Sequence, residues 1–293
     1  MMMEDAVYKE KRAKQSELLQ LLLLDAVYAQ KGSEEIIFQG GTALRWVYNG
    51  QRFSEDLDFV TLLPLKAIES VLRKTNSAAG KICTAQFGTG RAEFQIKQNR
   101  ETAFKALFVY RPESQRERIA VKLELEILKA DRRPEAERHI LRDLPQVAGL
   151  IRGGDLILPY ASSLILAETP EEILSDKIRA LFERTYVKGR DIYDIWWLVN
   201  QMGVKPDWDR TRKKLSMYRM RFIPARPAHH FLAEAAENEV RAAIESDLPR
   251  FLPAVIYREY QKDNFRPLME TLRRVTMDLQ GQGMENDALA DRD

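Results

Sequence analysis

The stretch from Phe38 to Phe59, FQGGTALRWVYNGQRFSEDLDF, constrains the fold more than any other in the chain. Glu34 to Phe38 carries the β-branched and aromatic residues of a strand. Gly40 and Gly41 end it, and with no Cβ they let the backbone turn sharply and come close to a ligand. Thr42 to Tyr48 reads as a helix, with Thr42 placed to cap it. The unpaired N–H groups of a helix start face the glycine turn, an arrangement that suits phosphate. A second strand follows at Asp56–Val60. Strand residues two apart share a face, so Asp56 and Asp58 point one way, while Leu57 and Phe59 point into a core.

Two carboxylates side by side repel each other unless a cation or a proton intervenes. A polar strand end at a solvated edge accounts for an isolated D-x-D. Behind a double glycine and a helix start, a divalent cation held by oxygen ligands is the better reading. The rest of the chain was expected to supply the other parts of such a site.

Of the 293 residues, 45% are apolar and 31% charged, the balance of a soluble globular protein. A net charge of +2 creates no global field that demands a nucleic-acid partner. The single cysteine, Cys83, forbids an internal disulfide and fits a reducing, cytoplasmic setting. Leu18 to Leu24 is apolar but too short to span a bilayer, and acidic residues precede the first basic one, so it makes a poor signal peptide. Lys11 to Gln30 reads as an amphipathic helix on the first domain, with no membrane role.

Further along, Pro64 opens a helix that Gly80 closes. Lys81–Phe87, Arg91–Lys97 and Thr102–Tyr110 read as strands of an antiparallel meander. Glu117 to Leu128 is the clearest strand: Val121, Leu123, Leu125 and Ile127 on one face, Lys122, Glu124 and Glu126 on the other. Asp131 to Gln146 reads as a short helix with exposed connections, and Leu156 to Leu166 as a strand. Thr169-Pro170-Glu171-Glu172 is a helix start with a capping box. Lys177 lies within the apolar stripe of that helix and must either reach water or meet an acid. After Gly189, Asp191 and Asp194 share one face of an apolar helix, which predicts arginine or lysine partners. Lys205 to Arg226 is basic with aromatics interleaved, fitting either a polyanion-binding face or a solvated helix. Phe231–Ser246 and Pro253–Gln280 read as helical.

The segments GGTALR and RFSEDLDF resemble the first motif of the AbiEii/AbiGii-type nucleotidyltransferases. These are the toxin enzymes of type IV toxin–antitoxin systems, and the MenT toxins are similar to them. The K-x-E of the clearest strand, the helix EILSDKIRAL and the run RDIYD match later motifs in the same order. The resemblance implies an α/β fold with a nucleotidyltransferase-like mixed sheet in residues 1–167 and a helical domain over 168–280; the polar composition of 281–293 reads as a disordered tail. It implies Mg²⁺ or Mn²⁺ on Asp56, Asp58 and Glu124, with Glu126 as the alternative in register. It puts Lys177 on the triphosphate of an NTP, and Asp191, with Arg190 and Asp194, near the nucleotide. Gly40, Gly41 and Thr42 would cradle phosphate. Arg52 would position Asp56 and Asp58 or offset their charge, and Ser54 would bond a phosphate oxygen or cap the strand. The implied reaction is nucleotide transfer to RNA, at the 3′ end of tRNA, by a toxin with a cognate antitoxin. The alternatives are nucleotidylation of a protein, or nucleotide binding without catalysis.

Overall fold

The computed structural model describes residues 2–159 and 163–285, and for residues 2–11 the backbone alone. The chain forms two compact units. The first is Met1–Asn49, Ser54–Asp131 and Ala136–Ala167; the second is Gly50–Phe53, Arg132–Glu135 and Glu168–Asp293.

The first unit runs α1 (Met2–Tyr28), β1 (Ile36–Gln39), α2 (Gly40–Trp46), β2 (Asp56–Thr61), α3 (Leu65–Phe87), β3 (Gly90–Arg100), β4 (Ala103–Pro112), β5 (Ile119–Ile127), β6 (Ala136–Ile140), α4 (Pro145–Arg152) and β7 (Leu164–Glu168). The seven strands form one mixed sheet in the order β3-β4-β5-β2-β1-β7-β6. β2 lies between β1, antiparallel to it, and β5, parallel to it. This is the expected α/β class with flanking helices.

β5 alternates as its sequence demands: Ile119, Val121, Leu123, Leu125 and Ile127 are buried, and the residues between them are half-buried. Leu57 and Phe59 of β2, and Phe104, Ala106 and Phe108 of β4, join that apolar face. Each such side chain contributes about 1.5–3 kcal/mol on burial.

Four expectations about elements change. α1 packs against both α3 and β5, and Leu19 through Leu24 are buried on every side, so it is not amphipathic there. Its two buried polar groups are used: the Gln20 amide donates to Ser54 O at 2.6 Å, and Asp25 accepts from Ser163 Oγ at 2.5 Å. Gly80 does not end α3. A Cβ there would meet that of Ala92 at 3.3 Å, so this glycine serves the packing of α3 against β3. The helix therefore runs through the segment expected as a strand at Lys81–Phe87 and stops at Gly88, whose φ is +86°. Asp131 to Gln146 holds the edge strand β6 rather than a helix until Pro145 opens α4. The strand expected over Leu156–Leu166 begins only at Leu164; residues 156–159 are irregular, and 160–162 lie outside the described residues.

The second unit is helical: α5 (Pro170–Glu183), α6 (Gly189–Trp196), α7 (Trp208–Met217), α8 (Glu234–Asp247), α9 (Ala254–Lys262) and α10 (Arg266–Gly281). Thr169 caps α5 by accepting from the Glu172 N–H, with Pro170 in the first turn. α6 starts at Gly189, where a Cβ would collide with the backbone of Ala243 and Ile244 in α8. That glycine permits the close crossing of two helices. Of the tail expected to be disordered, residues 286–293 lie outside the described residues. Among the described residues no helix is long and apolar enough to cross a membrane.

Candidate active site

The carboxylates of the first unit meet through strand register. Asp58 lies directly opposite Glu124 across the parallel pair β2/β5, and Asp56 lies opposite Lys122. All four are on the polar face of the sheet, half-buried. Glu126 stands opposite Val60, one step beyond the aspartates, so Glu124 is the acid in register with them.

Two lysines hold Glu124. Lys105, its cross-strand neighbour on β4, approaches Oε2 at 2.5 Å, and Lys122 pairs with Oε1. Burial pushes the Glu124 carboxyl up, but the bonds from Lys105 and Lys122 prevail and hold it below the usual carboxylate range. For Lys122, burial pushes the ammonium down, while Glu124, Asp56 and Asp58 keep it above the usual lysine range.

Gly40 brings bare backbone against Asp58. Its φ is +76°, and a Cβ built on it would lie 2.9 Å from Asp58 Oδ2. Only glycine fits both the conformation and the space. The expected cap at Thr42 is not formed. α2 begins two residues earlier, with Gln39 in the N-cap position and no side-chain cap. Thr42 is fully buried; its hydroxyl donates to the carbonyl of Asp56 and lies 2.7 Å from Ser54 Oγ. Thr42 and Ser54 thus brace the start of β2, because the third position of a seven-residue helix points its hydroxyl at the neighbouring strand.

A divalent ion on Asp56, Asp58 and Glu124 would find three hard oxygen donors, the chemistry that Mg²⁺ and Mn²⁺ take. As the side chains stand, no group of three or more His, Cys, Asp or Glu among the described residues could hold a metal ion. In the structure both oxygens of Glu124 are paired with lysines.

Gly41, also expected in the site, is buried in α2 of the first unit, while Arg52, Lys177, Arg190, Asp191 and Asp194 lie in the second. Lys177 is buried, and its Nζ reaches Asp191 Oδ1 at 2.9 Å and Asp194 Oδ2 at 2.6 Å. Arg52 forks Asp194, Nε to Oδ1 at 2.5 Å and Nη2 to Oδ2 at 2.6 Å, and donates through Nη1 to Phe53 O at 2.9 Å. Arg184 pairs with Asp191 from its more exposed side. The arginine and lysine partners predicted for Asp191 and Asp194 are therefore present. Arg52, expected to serve Asp56 and Asp58, is instead committed to Asp194, since a planar guanidinium matches a carboxylate with two parallel bonds. Arg190 donates its backbone N–H to Asp247 at 3.1 Å, and its guanidinium lies over Phe251. Burial pushes Asp191 up, but Lys177, Arg184 and Arg52 hold it well below the usual range. For Lys177, burial pushes down, but Asp191 and Asp194 keep it raised.

Buried cations in the run from Lys205 to Arg226 escaped the sequence reading, among them Lys214 and Arg226. Lys214 of α7, inside the basic run expected to be a solvated or polyanion-binding face, has no solvent exposure. Its Nζ lies 2.5 Å from Glu168, 3.2 Å from Glu172 and 3.2 Å from Asp176. The signal was there: Glu172 and Asp176 are four apart on one stripe of α5, just after Glu168, and Trp208, Thr211 and Lys214 recur at helical spacing in α7. A small cavity of about 140 Å³ in the first unit, lined by Lys14, Glu17, Leu18, Arg45, Trp46, Gln146 and Leu150, contains none of the expected site residues.

Comparison with known proteins bears on the family and the fold. The family model described as nucleotidyl transferase AbiEii toxin, type IV TA system, matches residues 22–271. The crystal structure of a candidate nucleotidyltransferase from H. pylori superposes with a TM-score of 0.52 at 17% identity, covering 96% of this chain and 99% of that one. JHP933 from Helicobacter pylori gives a TM-score of 0.54 at 18% identity, over 92% and 94% of the two chains. At these identities the two structures speak for the fold alone. No curated protein sequence matches the chain.

Proposed function

Given that the chain belongs to the AbiEii nucleotidyltransferase toxin family of type IV toxin–antitoxin systems, and so is a nucleotidyltransferase with an NTP substrate and an antitoxin partner, we propose that it transfers a nucleoside monophosphate to RNA, at the 3′ end of tRNA, with Asp56, Asp58 and Glu124 as metal-holding carboxylates. The observation that carries the reading is the register of β2 and β5, which sets Asp58 against Glu124 on one polar face.

Transfer joins an acceptor hydroxyl oxygen to the α-phosphorus and breaks the α–β phosphoanhydride bond, releasing pyrophosphate and a proton. Mg²⁺ or Mn²⁺, when bound, supplies Lewis-acid stabilisation of the attacking and leaving oxygens. Asp56, Asp58 and Glu124 would hold the ion. Gly40 brings its backbone close to Asp58, and in this reading the N–H groups of Gly40, Gly41 and Thr42 at the start of α2 would bond the donor phosphates. The Thr42–Ser54 brace keeps β2 in place against α2. An RNA acceptor is supported by the exposed segment Arg219-Met220-Arg221 of the second unit, which offers cationic and apolar contact together. Lys177, Asp191 and Asp194 keep a nucleotide-side role in this reading on the strength of their motifs. Their mutual bonds show how that part is held in shape.

The test is incubation with each labelled NTP and total RNA, then with a protein mixture. Label on RNA supports the proposal. Label on protein alone replaces the acceptor, and retained nucleotide binding without label replaces catalysis by binding.

A further inference from the structure

We propose that Lys105 and Lys122 are placeholder cations, which occupy Glu124 until a metal-bound nucleoside triphosphate arrives and then turn to its phosphate oxygens. The inference rests on the assignment of Asp56, Asp58 and Glu124 made above.

Both oxygens of Glu124 are taken. Lys122 sits on Oε1 and Lys105 on Oε2 at 2.5 Å. The two ammonium groups come from different strands. Lys105 faces Glu124 across the antiparallel pair β4/β5, and Lys122 precedes it on β5 while standing opposite Asp56 on β2. They therefore hold the same face of the sheet as the aspartates. A divalent ion that enters alone must displace an ammonium from Glu124 and bear the repulsion of both. An ion that enters on a triphosphate brings anionic oxygens, which give the displaced ammonium groups new partners.

The lysines are built to move. Their side chains are 34% and 40% exposed, against 0% for Lys214. A lysine is a compact charge on a flexible stem, and a half-solvated one can swing without disturbing the core. The consequence is positive coupling between metal and nucleotide, each raising the affinity of the other.

The placeholder role predicts effects of opposite sign from one substitution. Mn²⁺ binding to the full-length chain is measured by the loss of its free-ion paramagnetic resonance signal. It is measured alone and with a mixture of the four α,β-methylene nucleoside triphosphates. In Lys122→Met and in Lys105→Met, Mn²⁺ alone should bind about 3–10-fold tighter, because a competing charge is gone. Mn²⁺ with the analogues should bind at least about threefold weaker, because a phosphate partner is gone. Changes of the same sign in both, or none, overturn the placeholder role, since a merely structural lysine gives no reversal. Asp58→Ala separates this from the underlying assignment. If it binds Mn²⁺ as the unaltered chain does, or if that chain binds neither Mn²⁺ nor analogue, the carboxylate site itself falls and the placeholder role with it. Lys122→Gln and Lys105→Met carry the same test should Lys122→Met fail to fold.

Discussion

The protein handles charge in two ways. On the polar face of the sheet, Asp56, Asp58 and Glu124 are half-buried, and the lysines on Glu124 keep a third or more of their surface in water. In the helical unit, Arg52, Lys177, Asp191 and Asp194 are all at least nine-tenths buried, and the bonds among them use both oxygens of Asp194. The same residue types thus serve different ends. Ions that have lost their water and found fixed partners resist rearrangement, because breaking one bond strands a charge in low dielectric. Ions that keep part of their water can trade partners at little cost, as a site that admits and releases a charged substrate must.

The largest expected effect lies on the sheet. Asp58→Ala should lower nucleotide transfer by at least about 100-fold while shifting stability by no more than about 1 kcal/mol. Labelled-NTP assays beside denaturant melts check this, and transfer that survives the change breaks the comparison at its catalytic end. Asp194→Ala should do the reverse first. It strands Arg52 against Lys177 and should cost about 3–5 kcal/mol, read as a lower urea midpoint at unchanged slope. A loss under about 1 kcal/mol would mean that the helical cluster is no tighter than the sheet face.

The helical cluster should also show in acid. The folded-state pKa of Asp191 is depressed, so its contribution is present in full above the ordinary aspartate value, about 3.9, and is lost as pH falls below it. Stability should fall on acidification through that range, and Asp191→Asn should flatten the fall; an unchanged slope would remove Asp191 from the account. The smallest effect sharpens the register. Glu124→Gln should lower transfer by at least about tenfold, whereas Glu126→Gln should change it less than about threefold. Equal effects would mean that the strand pairing seen here is not the one that works.

Much of this was readable along the chain. β5 follows from strict alternation, and the start of β2 from the alternation of Asp56 to Phe59, which the sheet's two unlike faces favour. The α5 cap follows from Thr169 and Pro170, whose effect is local. The failures share a cause. Gly80 reads as a helix end because glycine usually is one, yet here it lets a helix lie close to Ala92. Lys11 to Gln30 reads as amphipathic, yet its polar Gln20 and Asp25 are both buried against partners from distant segments. Arg52 reads as an attendant of the nearby aspartates, yet it forks an acid 142 positions away.

The order of residues by itself determined that Asp56 and Asp58 share a face of their strand, that Lys122, Glu124 and Glu126 share a face of theirs, and that Asp191 and Asp194 must find cations, because strand and helix periods are local properties of the backbone. Which acid stands opposite Asp58, which lysines hold Glu124 and which arginine closes on Asp194 were decided only in the tertiary structure. Those pairings join segments far apart in the chain, and their energies exist only once the sheet register and the helix crossings have brought the segments together.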